Sequence, residues 1–347
     1  MEFLYDYGLF LAKAITLVLA ILITVAGLVA VGMRQRQRPR LGHIEVTSLS
    51  ERLEDYQETL NAANLDEHEY KALEKAERKR RKADDKARRK GGGHPQRNRV
   101  FVLEFDGDIR ASAVDNLREE ISAVLTVARA GDQVLVRIES GGGMVHSYGL
   151  AASQLQRVVD AGLPLIAAVD RVAASGGYMM ACIANTIIAA PFALIGSIGV
   201  MAQVPNFHRL LKKHDVDVEL HTAGEFKRTL TVLGENTEKG RRKFLEELEE
   251  THQLFKVHVA EHRHQVDVDR IATGEVWYGS QALALKLVDQ VQTSDEWLMA
   301  QRKDHELYLV QYQQKRSWQE RMGLAAEGSA DRLLLRWWQR FSQRQPL

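Results

Sequence analysis

The sequence predicts an α/β fold with a parallel sheet, preceded by one N-terminal membrane-spanning helix. Short apolar runs alternate with amphipathic helical segments from residue 99 to residue 291, an order typical of parallel sheets with right-handed crossovers. Glycine-rich corners follow two of the apolar runs, at 140–144 and 174–178. Residues 14–33 carry no charge, and that length matches the roughly 20 residues that a helix needs to cross a bilayer.

The composition limits the kinds of site that the chain can hold. Its 347 residues, with Lys+Arg 47 and Asp+Glu 46, allow one large or two modest domains. The single cysteine, Cys182, excludes an intrachain disulfide, and its apolar surroundings predict an inert core thiol. His258 and His262 lie one helical turn apart, but no HExxH pattern and no third ligand accompany them. We therefore expect solvated histidines and no metal.

Residues 1–13 are predicted to be a short flank and residues 14–33 an uncleaved transmembrane anchor. A cleaved signal peptide has its positive charge before the apolar stretch, whereas four arginines between 34 and 40 follow it here. The positive-inside rule places those arginines, and the body after them, on the cytoplasmic side. The lipid bilayer is thus an expected partner.

Residues 34–98 are predicted to be a charged helical spacer. Apolar residues are too sparse for a buried helix, and Glu-to-Lys pairs at helical spacing would stabilise a solvated one. The stretch Lys75–Lys90 is strongly basic, which leaves anionic lipid headgroups and nucleic acid as alternative partners. Because no aromatic stacking residues are interleaved, nucleic acid is the least favoured, and we expect no nucleic-acid partner.

The globular body is predicted to span residues 99–300, followed by a C-terminal strand and an amphipathic tail at 301–347. Hydrophobic periodicity predicts strands within 100–109 and at 133–140, 163–169 and 218–222, a buried strand and loop at 186–204, and helices at 112–131, 145–162, 207–213, 237–264 and within 274–291. A second membrane span at 186–204 is disfavoured, since it would separate the glycine-rich corners from everything downstream. The tail suits a subunit contact or a membrane interface.

The glycine-rich corners are the candidate site, because chemistry in open parallel sheets gathers where strands end and helices begin. Neither corner has the GxxxxGK[ST] or GxGxxG pattern of a nucleotide site, and no cofactor is expected. Ser175 stands at the first turn of a predicted helix, whose free N–H groups can stabilise an oxyanion. The alternative interpretation is that Ser175 only caps that helix.

A nucleophilic serine needs a base, and the usual bases are a histidine, a lysine or an N-terminal amine. The sequence offers several candidates. Lys227 lies near Phe226, Leu230 and Val232, a less charged neighbourhood than most lysines of this chain have. Burial would favour the neutral amine that a lysine base requires.

Five blocks in this order resemble the signature blocks of the signal peptide peptidase A family of membrane serine proteases: RIESGGGMVHS, VAASGGYMMACIAN, APFALIGSIGV, GEFKRTL and GEVWYGSQALALKLVDQV. The resemblance covers residues 99–291. It implies a fold like that of the Clp protease and crotonase superfamily, a spiral of strand-strand-helix units. It also implies a homo-oligomer in which serine and lysine can come from neighbouring chains.

By that resemblance, Ser175 is the nucleophile and Lys227 is the general base of a Ser-Lys dyad. Ser197 matches the family hydroxyl that orients the lysine, the third-group role of an activated nucleophile.

The amides of Gly176 and Gly143 would form the oxyanion hole. The family usually has proline after the serine of the first corner, whereas this chain has Gly141. The change loosens that loop.

The implied activity is cleavage of membrane-associated peptides, such as signal-peptide remnants, at small or apolar side chains in the bacterial inner membrane. Family members of this type commonly work on the outer side of the plasma membrane, which opposes the cytoplasmic placement that the charges predict. Activity should rise with pH as the base lysine becomes neutral. Two alternatives stay open: a crotonase-type acyl-CoA enzyme without the dyad, and a non-catalytic membrane scaffold.

Overall fold

A computed structural model describes residues 42–66, 68–72 and 97–314, together with residues 10, 13, 15–18, 20, 75, 76, 79 and 82. The predicted anchor at 14–33 and the tail after 314 lie wholly or mostly outside these residues. Among the described residues, no helix has both the length and the apolarity needed to cross a bilayer. Ile44–Tyr312 forms one compact unit.

The helices and strands follow the predicted alternation through the centre of the chain. The strands are β1 His43–Ser48, β2 Asn98–Gly107, β3 Gln133–Ser140, β4 Leu165–Val169, β5 Val172–Ala174, β6 Thr186–Ala189, β7 Leu194–Gly196, β8 Val276–Tyr278, β9 Gln290–Val291 and β10 His305–Gln313. The helices are α1 Leu49–Asn64, α2 Val114–Val127, α3 Val145–Asp160, α4 Gly176–Ala181, α5 His208–Lys213, α6 Glu238–His262, α7 Val268–Ile271, α8 Gly279–Ala284 and α9 Ser294–Gln301.

The main sheet has the strand order β1-β10-β2-β3-β4-β6-β9, and its pairs from β10 to β9 are parallel. A short branch, β5-β7-β8, leaves this sheet at the end of β3, where Ser140 pairs with Ala173. Strands β5 and β7 are parallel, whereas β7 and β8 are antiparallel. The predicted α/β class is therefore confirmed, with a mixed sheet.

Two apolar cores cover the two faces of the main sheet, because successive side chains of a strand point to opposite faces. Along β2, Phe101 and Leu103 join the larger core, which includes buried residues of α2, α3, α4 and α6. Val100 and Val102 of the same strand join the smaller core with Leu49 of α1 and residues of α9. Strand β4 is buried along its whole length, as its continuous apolar run predicts.

Two local predictions are wrong. The predicted strand at 218–222 is absent from the structure, and the segment is exposed throughout, because it pairs with no strand of the described chain. Helix α2 begins at Val114 instead of 112, since the Ser112 hydroxyl donates a hydrogen bond to the Asp108 carboxylate of the preceding turn at 2.8 Å.

Candidate active site

Three serines lie at the carboxyl ends of three adjacent parallel strands. Ser140 ends β3, Ser175 follows β5 and Ser197 follows β7. The pairings Ser140 with Ala173 and Ala174 with Gly196 set this register. Parallel neighbours end at the same edge of a sheet, so the sheet itself brings the two glycine-rich corners and Ser197 together.

Ser175 has an unusual backbone, with φ 52° and ψ −119°. A non-glycine residue with positive φ is uncommon, and such strain costs about 1–3 kcal/mol. The Ser175 amide donates to the Gly196 carbonyl at 2.7 Å, and the Ser175 carbonyl accepts from the Met179 amide at 2.9 Å. The side chain makes no capping bond to α4. The capping interpretation therefore has no hydrogen bond to support it, and the hydroxyl stays available for chemistry.

The glycines of the two corners permit their close approach. Gly142 has φ +90°, and a Cβ there would lie 2.6 Å from the Ser175 Cβ. A Cβ on Gly143 would overlap the Ile109 carbonyl, and one on Gly176 would overlap the Tyr148 ring. The amides of Gly143 and Gly176 donate to no acceptor among the described residues. Both are thus available to an oxyanion.

Gly141, where the family usually has proline, differs from its neighbours. A Cβ at this position would meet no atom within 4 Å. The position at which this chain departs from the family pattern is therefore one where the structure would accept a side chain.

A buried hydrogen-bond chain that the sequence reasoning missed fixes the first corner. The Tyr148 hydroxyl donates to the Asp108 carbonyl at 2.8 Å and shares a hydrogen bond with the Ser140 hydroxyl. The Gly142 amide donates to the Ser140 Oγ at 3.0 Å. Burial raises the pKa of Tyr148, which keeps the phenol neutral. The signal in the sequence is an aromatic residue on the buried face of α3, directly after the corner.

Ser175 opens on a small pocket. The lining residues come from both corners, from the segment after β7 and from α6: Gly143, Val145, Ser175, Gly176, Met179, Gly199, Val200, Thr251 and Phe255. The wall is mainly apolar. The sequence reasoning missed the contribution of α6, although the spacing of Phe255 and Val259 indicates a buried stripe on that charged helix.

Ser197 and Lys227 differ in burial. Ser197 is half-buried with φ 51°, and its amide donates to the Glu275 carbonyl at 2.6 Å. Lys227 is exposed, and its side chain makes no hydrogen bond or ion pair with any described residue. The apolar neighbourhood of Lys227 does not produce burial, because Phe226 is itself exposed. Within the single chain, Lys227 does not line the pocket of Ser175.

The prediction that the α6 histidines are solvated is wrong for His258 and His262, which are half-buried. His258 Nε2 lies 3.0 Å from the Met179 carbonyl oxygen, and His262 Nε2 lies 3.0 Å from Gln156 Oε1. These two side chains therefore pack against α4 and α3.

Two family descriptions match the sequence, Peptidase family S49 N-terminal over residues 2–155 and Peptidase family S49 over residues 157–308. The chain belongs to peptidase family S49. The family predicted from the five blocks is thus confirmed, and an S49 peptidase is a hydrolase of peptide bonds.

Two relatives of this S49 chain carry the name probable protease SohB. The one from Haemophilus influenzae is 51% identical over 342 residues, which cover 97% of this chain and 96% of that protein. The one from Buchnera aphidicola subsp. Schlechtendalia chinensis is 44% identical over 306 residues, covering 86% of this chain and 100% of that protein. A solved mutant of the 1510-N membrane-bound stomatin-specific protease with a substrate peptide is 13% identical, with a TM-score of 0.40, over 65% of this chain and 96% of that chain.

Proposed function

We propose that this S49 peptidase is a membrane-anchored serine endopeptidase that cleaves membrane-associated peptides such as signal-peptide remnants. Ser175 is the nucleophile, Lys227 is the general base, and no cofactor takes part. The observation that carries the proposal is Ser175 itself, held in a left-handed backbone conformation at a strand end and opening on an apolar pocket. Stored strain at a hydroxyl that lines a pocket is typical of functional positions.

The proposed reaction begins when the Ser175 Oγ attacks the carbonyl carbon of the scissile peptide bond. The Oγ proton passes to the neutral Nζ of Lys227, and the amides of Gly143 and Gly176 stabilise the oxyanion. The lysine then gives that proton to the leaving amine, so that an acyl-enzyme remains. Water, deprotonated by the same lysine, releases the new carboxyl group and restores the serine. Ser197 orients the lysine.

Lys227 would reach Ser175 from a neighbouring copy of the chain in a homo-oligomer. The segment 201–235, which we call the arm, carries Lys227 and a series of exposed apolar side chains: Met201, Phe207, Leu210, Val216, Leu220, Phe226, Val232 and Leu233. Apolar surface of this kind marks a protein interface. Burial of the arm against a second copy would also favour the neutral lysine that the mechanism needs.

The apolar pocket supports a preference for substrates with small or apolar side chains next to the scissile bond. The uncharged stretch at 14–33 supports an anchor that holds the enzyme where such peptides are found. We place it in the bacterial inner membrane as a single-pass protein, with the arginines after the stretch favouring a cytoplasmic body. A compartment-sensitive reporter fused to the C-terminus tests the orientation, and a signal from the outer side would reverse it.

Peptide cleavage by the full chain in detergent tests the dyad. Ser175→Ala and Lys227→Ala are each expected to lower turnover by about 10⁴-fold or more, because nucleophile and base act as a unit. Lys213→Ala, an exposed lysine at the end of α5, is the matched control and should leave turnover unchanged. Wild-type activity should also rise with pH, since only the neutral lysine accepts the proton. Cleavage retained by both dyad variants would exclude the mechanism and favour the acyl-CoA or scaffold alternatives.

A mixing experiment tests whether the dyad is shared between chains. Equal amounts of Ser175→Ala and Lys227→Ala chains are dissociated together and reassembled. If each site takes serine from one chain and lysine from the next, about one quarter of the sites regain both groups. No recovery of activity would show that serine and lysine pair within one chain.

A further inference from the structure

The structure brings together three groups that lie far apart in the sequence. Cys182 directly follows α4, while His258 and His262 lie one turn apart on α6. One potential ligand atom from each of the three side chains lies within 4.8 Å of the other two. The rings of His258 and His262 are 4.6 Å apart between centroids. The third ligand that the helix spacing lacks is thus supplied by the fold.

We propose that Cys182, His258 and His262 form a binding site for a thiophilic divalent metal ion of the zinc type. A thiolate with two imidazoles suits such an ion, and three protein ligands leave a fourth position for water. Bonds of about 2.3 Å to sulfur and about 2.0 Å to nitrogen require the ligand atoms to lie closer together than they do here. Small rotations of the three side chains would supply that contraction.

The hydrogen bonds around the histidines support the proposal. His262 Nδ1 donates to the His258 carbonyl, over 2.7 Å, and His258 Nε2 donates to the Met179 carbonyl, over 3.0 Å. Each ring therefore gives one nitrogen to a backbone oxygen, a contact that commonly orients metal-binding histidines. The Cys182 thiol donates to the same Met179 carbonyl at 3.3 Å, which places the sulfur beside His258. Gln156 Oε1 lies 3.0 Å from His262 Nε2, so the Gln156 amide must give way when that nitrogen binds a metal.

Burial shifts the pKa values of two of these groups. Burial lowers the pKa of His258, which favours the neutral ring that binds metal. Burial raises the pKa of Cys182 to about 12, so the metal-free thiol keeps its proton. Binding forms one metal–sulfur bond and two metal–nitrogen bonds, and it breaks the S–H bond and releases one proton to solvent. No redox step is involved.

A metal ion at this site would link α4, the helix that follows Ser175, to α6, which forms part of the pocket wall. Helix α4 begins directly after Ser175 and ends directly before Cys182. Helix α6 carries both histidines as well as Thr251 and Phe255, which line the pocket. We therefore expect metal binding to stabilise the packing of α4 on α6. The site does not depend on the proposed peptidase mechanism, and its test does not use peptide cleavage.

Cobalt(II) titration of the untagged, reduced full chain in detergent tests the site. Cys182 is the only cysteine in the sequence, so a thiolate-to-cobalt charge-transfer band can arise only from Cys182. We expect one equivalent of Co²⁺ to produce this band and Zn²⁺ to displace it. Cys182→Ala should abolish the band, and His258→Gln and His262→Gln should each weaken Co²⁺ binding by more than about tenfold.

His264→Gln is the matched control, since His264 is exposed and lies two residues after the end of the same helix, and it should titrate like the wild type. A second measurement guards against variants that fail to fold: Zn²⁺ should raise the thermal midpoint of the wild type relative to EDTA, and should not raise that of His262→Gln. The absence of a charge-transfer band at saturating Co²⁺ in the folded wild type would overturn the proposal. So would equal Co²⁺ affinity in the wild type and both histidine variants.

Discussion

Glu120 is a buried carboxyl on α2 whose charge the fold disfavours. It is 5% exposed. Its Oε1 accepts a hydrogen bond from the Tyr312 amide of β10 at 2.8 Å, whereas its Oε2 has no partner among the described residues. Burial, assisted by the charge of Glu104 and opposed by the Tyr312 bond, raises the pKa of Glu120 from 4.5 to about 7. The stability of the fold should therefore depend on pH in a direction opposite to that of most carboxyl groups.

The sign and size follow from the two pKa values. Below pH 4.5 the carboxyl is protonated in the folded and the unfolded chain, and its contribution to stability is fully present. As pH rises towards about 7, the unfolded chain loses this proton first. The free energy of unfolding then falls by about 1.4 kcal/mol per pH unit. Over the whole interval from 4.5 to about 7 the loss is at most about 3 kcal/mol.

Glu120→Gln tests this reasoning, because the amide oxygen can still accept from Tyr312 while the titration disappears. The amide nitrogen replaces the unpartnered Oε2 and costs about 1–3 kcal/mol at every pH. The quantity to measure is therefore how steeply the free energy of unfolding changes with pH in each protein. Urea unfolding followed through tryptophan fluorescence gives this slope for the wild type and the variant. We expect the wild type to lose up to about 3 kcal/mol relative to the variant between pH 4.5 and pH 8. Glu119→Gln, at an exposed neighbour, should keep the wild-type slope. Parallel profiles for wild type and Glu120→Gln would refute the argument.

Two further predictions concern the first corner. Gly142→Ala places a side chain 2.6 Å from the Ser175 Cβ at a φ of +90°, so peptide turnover should fall at least about tenfold with an unchanged circular dichroism spectrum. Gly141→Ala, which meets open space, is its control, and equal activity of the two variants would contradict the prediction. Tyr148→Phe removes the donor to the Asp108 carbonyl and should lower the free energy of unfolding by about 1–3 kcal/mol in urea. Unchanged stability would argue against the role of this hydroxyl.

The central strands and helices are predictable because local pattern and tertiary environment agree there. The run at 163–169 is apolar throughout and contains β4, which is buried on both faces. The segment at 218–222 alternates apolar and polar residues, as a half-buried strand would, yet it forms no strand. A strand needs a partner, and no residue pattern within the segment specifies one. The short strands β8 and β9 form although their sequences are short, because β7 and β6 provide edges with which they pair.

Ser175 can be predicted as a candidate nucleophile from the sequence because its signals are local: a buried strand, a corner and an apolar helix. The prediction of Lys227 as the base rests mainly on the family resemblance, since no pattern along the chain indicates which surface a second copy would cover. The cluster of Cys182, His258 and His262 is not predicted from the sequence, for a related reason. The two histidines are visible as a helical pair, but their third ligand comes from a distant segment that the sheet brings to α6.

Helix α4 links these findings physically. Ser175, which directly precedes the helix, is held by a 2.7 Å hydrogen bond to the Gly196 carbonyl of β7, and Cys182, which directly follows it, lies beside the histidines of α6. The helix has only six residues, Gly176–Ala181, and all six are buried. A helix this short moves as one body, because its interior packing leaves little room for bending. Any group that fixes its C-terminal end against α6 therefore also fixes the position of the serine and the width of the pocket between Met179 and Phe255.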